Sequence, residues 1–116
     1  MALQNRSITG QERTLQLSHT ASTTALTPLL INSKVLIPLN SKGANALNAY
    51  LYQAEVSDWD ATSAETWNVG DKLYFVTATG KLSNVASGNT LCGYALEAKA
   101  GGVATSGLVH FHTFAA

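Results

Sequence analysis

The chain has 116 residues, room for one hydrophobic core and not for two. It is 46% hydrophobic and only 12% charged, about half the charge content of an ordinary soluble domain, and its seven basic and seven acidic residues cancel to zero. No overall field draws nucleic acid or an anionic membrane, and no apolar run approaches the ~18 residues of a membrane-spanning helix. So thin a charge shell protects weakly against association, which implies that partners cover much of the surface, as in an obligate oligomer or a larger assembly.

In chain order, MALQNRSITGQERTLQL lacks the basic-then-apolar pattern of a secretion signal and reads as a mature cytoplasmic start. Residues 1–12 are polar and without period, so an extended arm standing outside the core is expected, with Arg6 and Ile8 as contact candidates. In the order ERTLQL, Leu15 and Leu17 fall on one face of a strand, and Leu15 joins the interface candidates. The Thr-rich stretch up to Ser33, interrupted by Pro28, is expected to be irregular with a short edge strand, because proline cannot donate a ladder hydrogen bond.

Lys34 to Leu39 reads as a strand closed by a turn-like NSKG. The following ANALNAYLYQAEV fits two periods. Ala44, Leu47, Leu51 and Ala54 make a helical stripe, whereas Tyr50, Tyr52 and Val56 suit a strand, which is the expectation for the second half. Between Glu55 and Asp71 lie five of the seven acids, no Lys or Arg, and both tryptophans. Asp71–Thr77 and Lys81–Ser83 predict a hairpin turning at Gly80, and Thr90–Glu97 and Leu108–Phe114 predict two further strands. In the first of these, strict alternation places Cys92, Tyr94 and Leu96 on one face and Leu91 and Ala95 on the other. Gly88 is expected to serve a turn and Gly93 close strand packing. The expected fold is all-β: a small β-sandwich or barrel-like domain over residues 13–116, preceded by the arm.

Reactive groups are sparse. His110 and His112, two apart on a strand, share a face, but a zinc site needs three or four ligands and neither His19 nor Cys92 is near in sequence. The pair is therefore read as an exposed or interfacial strand face, with a metal held between copies as the alternative. Asp58 and Asp60 lack the further oxygen ligands and glycine of a calcium loop. Cys92, the only cysteine, excludes a disulfide framework within the chain and is expected as a small buried hydrophobe. There is no nucleophile elbow, and the glycines at 102 and 107 lack the lysine and helix of a phosphate loop. No catalytic residue, cofactor or metal site is expected. Trp59 and Trp67 fit two roles, as core anchors with their indole N–H groups on backbone carbonyls or as interface anchors beside an acidic loop.

The order TWNVGDKLYFVTATGKLSN followed by SGNTLCGYALEAKAGGVATSGLVHF resembles the phage capsid cement proteins of the DUF2190 type. The shared elements are Val69-Gly70-Asp71, Leu73-Tyr74, Gly88-Asn89-Thr90, Gly93-Tyr94-Ala95, the Ala-rich loop from Ala98 to Gly102, and Gly107 to Val109. They cover roughly residues 65–112, and no counterpart of the family's early glycine-rich stretch precedes Tyr50. The resemblance implies a virion structural protein, assembled in the host cytoplasm, that binds major capsid protein on the outside of the head, commonly as a homotrimer. A tail or head-fibre module and a small metal-binding β protein are the rival readings.

Overall fold

A computed structural model describes residues 3–5 and 13–113 of the chain. Among the described residues, nine antiparallel strands curl into a half-barrel and there is no helix. They are β1 (Gln4–Asn5), β2 (Arg13–Ser18), β3 (Leu29–Ile31), β4 (Lys34–Pro38), β5 (Leu47–Ser57), β6 (Lys72–Phe75), β7 (Leu82–Ser83), β8 (Thr90–Ala95) and β9 (Val109–His112). The main path runs β3-β4-β5-β9-β8-β6-β7. The stretch with two competing periods begins in a turn at Ala44 and Asn45 and is strand from Leu47 onward, because β5 takes partners on both sides. β2 pairs with residues 47–53 and β1 with residues 56–57, while β4 and β9 share the opposite side.

Two turns explain how short strands reverse. Asn32 and Ser33 both adopt positive φ (51° and 66°) between Ile31 and Lys34, the backbone of a two-residue type I′ hairpin. Gly80 adopts φ of 73° and its N–H donates to the Val76 carbonyl, which turns β6 into β7 as the hairpin pattern predicts.

The concave side holds the main core: Val35 and Ile37 from β4, Leu51, Ala54 and Val56 from β5, Leu73 and Phe75 from β6, and Val109 and Phe111 from β9. Trp59 fills its centre with ring centroids 5.8 Å from Phe111 and 6.4 Å from Phe75, both tilted. A smaller cluster on the other side joins Ile31, Leu36 and Tyr50, with Leu15, Leu17, Leu29 and Tyr52 half-buried against it. β5 serves both clusters through a bulge. Arg13 faces Gln53 and Thr14 faces Leu51, so Tyr52 has no partner on β2. The extra residue inverts the alternation, and Leu51, Ala54 and Val56 all reach the concave core.

Two expectations are corrected, and a choice left open is settled. Leu3 is only 2% exposed within the main core and Gln4–Asn5 pair with β5, so the first residues do not stand clear of the domain as the arm was expected to do. Arg6, Ile8 and the rest of residues 6–12 lie outside the described residues. Of the two roles open to Trp59 and Trp67, the structure shows the core one, at 2% and 1% exposure. In β8, Leu73 faces Gly93 and Tyr74 faces Leu91, leaving Cys92 in a bulge. Cys92 and Ala95 therefore both enter the core, while Leu96 is exposed.

Candidate interaction surfaces

Two surfaces stand out, and each follows from how the strands are laid. On the convex face, ladder partners project together. His112 lies opposite Gln53, His110 opposite Glu55, Tyr94 opposite His110, and Lys72 opposite Tyr94. The two imidazoles stand edge to face with centroids 6.1 Å apart, both half-buried. Cys92 points into the opposite, concave side, where burial pushes its thiol pKa far up. Among the described residues no three of His, Cys, Asp and Glu converge as metal ligands. Leu15 belongs to the same convex side, half-buried on the apolar cluster around Tyr50.

The second surface is the end of the sheet where β5, β7 and β8 finish and β6 and β9 begin. The chain after β5 crosses this end, and neighbouring segments hold it. Ala61 N–H donates to Ala104 O (2.8 Å), Thr62 N–H to Leu82 O (3.0 Å), and Trp67 and Lys99 exchange both backbone bonds (2.9 and 3.0 Å). Side chains complete the anchoring. Lys99 is 3% exposed, and its ammonium donates to the carbonyls of Ser63, Glu65 and Ala100 while lying 5.3 Å from the Trp67 ring centroid. All three of its protons have acceptors, which is what makes a buried ammonium tolerable.

Glu65 holds the other side. Its carboxylate accepts from Trp67 Nε1 (3.1 Å), Ser83 Oγ (2.6 Å) and Asn84 N (2.7 Å). Partial burial acts to raise its pKa, but the Ser83, Asn84 and Trp67 bonds and the positive Lys99 outweigh this and lower it below the usual 4.5. The folded state therefore gains from this carboxylate fully above pH 4.5 and loses the gain as pH falls through the lowered value. Glu65→Gln should cost about 1 kcal/mol at neutral pH, the exposed part of the carboxylate having been screened by solvent. Melting curves of the two proteins should converge as pH falls below 4.5, and a gap constant with pH would contradict the role given to the charge.

The tryptophan bonds follow the same logic. Trp59 Nε1 donates to the Gly80 carbonyl at 3.0 Å, as expected of a core indole, whereas Trp67 uses a carboxylate. Asp60 lies beside Trp59 at a cleft of about 130 Å³, lined also by Leu3, Pro28 and Gly80. The model of the family described as phage cement protein matches residues 8–111.

The chain belongs to the phage cement protein family. Its role is structural and its place is the capsid of the virion. No curated protein and no solved structure matches it. His110 and His112 stand together on one face, where alternation on β9 placed them. Sequence reasoning missed the Glu65–Trp67–Lys99 anchor, whose Lys99 bonds to Ser63 and Glu65 span 36 and 34 residues. A lysine inside an Ala- and Gly-rich loop, with Glu65 two residues before Trp67, was the available trace.

Proposed function

We propose that this protein decorates the outside of the phage head, binding major capsid protein and bridging neighbouring coat subunits so that the shell resists internal pressure. It acts as a homotrimer, without catalysis or cofactor, and needs neither nucleic acid nor membrane. Modest contacts made by each subunit are multiplied by the symmetry of the oligomer, so that affinity comes from avidity. The family match over residues 8–111 carries the reading, and a chain with only 12% charged residues supports it.

The test uses heads of the parent phage assembled without the protein. Purified protein should sediment with them and raise the temperature at which they release DNA. Heads that neither bind it nor gain stability would refute the proposal. Residues 6–12 are proposed to make part of this contact, carrying Arg6 and Ile8. Because Leu3 is packed in the core, the informative variant keeps residues 1–5 and replaces residues 6–12 by a Gly/Ser linker. It should melt like the parent protein and bind heads roughly tenfold more weakly. Equal affinity would remove these residues from the contact.

A further inference from the structure

We propose that His110 and His112 chelate one divalent cation of the Zn²⁺ and Cu²⁺ class on the convex face of β9, with water completing its coordination. The site belongs to a single chain and stands apart from the cement reading, which it neither needs nor tests.

In the sequence this pair has no third ligand nearby. The fold supplies the disposition of the two rings and the identity of their neighbours. Both histidines are half-buried, and their rings stand edge to face with centroids 6.1 Å apart. Around a tetrahedral ion with metal–nitrogen distances of about 2 Å, two imidazole centroids come to about 5 Å. The rings must therefore approach by about 1 Å, and the broad χ2 torsion of histidine allows this while the strand stays in place. β9 is held on both flanks, by β5 and by β8, so the two rings are kept on one side.

The neighbours suit a cation. Across the ladder from β5, Glu55 faces His110 and Gln53 faces His112. Tyr94 faces His110 from β8. The basic residues on these rows stand one strand further off, Lys72 beyond Tyr94 and Arg13 beyond Gln53. Among the described residues no three of His, Cys, Asp and Glu converge as ligands, so Glu55 acts through its charge and not by coordination.

Ligand type sets the class of ion. Imidazole nitrogens favour Zn²⁺, Cu²⁺ and Ni²⁺, whereas Ca²⁺ and Mg²⁺ take oxygen ligands. Two protein ligands leave half of a tetrahedral sphere to water, so the ion exchanges with solvent and is not a structural zinc. Because pairing of β9 holds both rings on one face, the folded chain binds the ion better than the unfolded one. Binding therefore stabilises the fold by mass action.

The experiment titrates Zn²⁺ calorimetrically into tag-free parent protein and into His110→Gln, His112→Gln, Glu55→Gln and His19→Gln. Melting curves and sedimentation are measured in parallel. His19 follows β2 at the far end of β5, where Ser18 pairs with Leu47, and serves as control. The parent protein should bind one Zn²⁺ per chain with no change of oligomeric state. Either variant of the pair should bind roughly tenfold more weakly or worse, because the second imidazole no longer acts at high effective concentration. Glu55→Gln should lose roughly two- to threefold, and His19→Gln nothing. Saturating Zn²⁺ should raise the melting temperature of the parent protein by about 5 °C and leave the two variants of the pair almost unmoved. Equal affinity in the parent and in both of those variants would overturn the assignment, as would Mg²⁺ binding as tightly as Zn²⁺. One Zn²⁺ per two or more chains, with copies drawn together, would overturn the single-chain site. Glu55→Gln binding as tightly as the parent would overturn the part given to the carboxylate.

Discussion

Gly93→Ala is expected to destabilise the protein by about 3 kcal/mol, lowering its melting temperature by roughly 10 °C. An ideal Cβ at position 93 would stand 2.2 Å from the His110 carbonyl oxygen, 3.1 Å from its carbon and 3.3 Å from Phe111 Cα. All three are backbone atoms of β9, so no side chain can swing aside, and relief requires prising β8 from β9. The bulge at Cys92 is what brings this glycine so close, since the extra residue bends β8 where it faces Phe111. Gly43→Ala is the matched control, because a Cβ there meets nothing within 4 Å and its φ is not in the left-handed region. Equal melting temperatures for the two variants would show that β8 and β9 yield more readily than this packing implies.

Lys99→Met should cost about 2 kcal/mol and loosen the loop-built end before the rest of the fold. Two effects compete. Removing a buried ammonium recovers desolvation free energy of several kcal/mol, yet it also deletes three charge-assisted bonds of about 1.5–3 kcal/mol each. The bonds prevail because each proton of this ammonium has an acceptor and the charge itself lies over the Trp67 ring. Afterwards the carbonyls are not equally affected. Ser63 O still accepts from Gly102 N and Ala100 O from Val103 N, leaving Glu65 O as the acceptor that loses most. Amide exchange should therefore accelerate first around residues 63–67 and 99–103, with β5 and β9 protected as before. A uniform change, or a variant as stable as the parent, would mean that the loop is held by its backbone bonds alone.

Those two variants sit at opposite extremes of what could be read in advance. Gly93 lies in a run whose glycine was already expected to permit close strand packing, and the contact with His110 is that expectation made specific. Lys99 gave almost no notice, because its partners at Ser63 and Glu65 are distant in sequence and no local period links them. The arm was misjudged at Leu3 for a related reason. A short apolar start followed by polar residues has no period, and only the side of β5 left open by β9 gives Leu3 a place in the core.

The sequence by itself determined the all-β class, the hairpin at Gly80, the turn at Gly88, the outward pairing of His110 with His112 and the family resemblance of the C-terminal half. These depend on alternation, on glycine's access to positive φ and on the order of local motifs, all short-range properties. Tertiary structure alone decided that β5 is strand along its whole length, that bulges at Tyr52 and Cys92 invert the alternation, and that both tryptophans are interior. Each of these outcomes depends on which strand lies alongside, and strand neighbours are chosen by the burial of the whole core, not by the residues next in the chain.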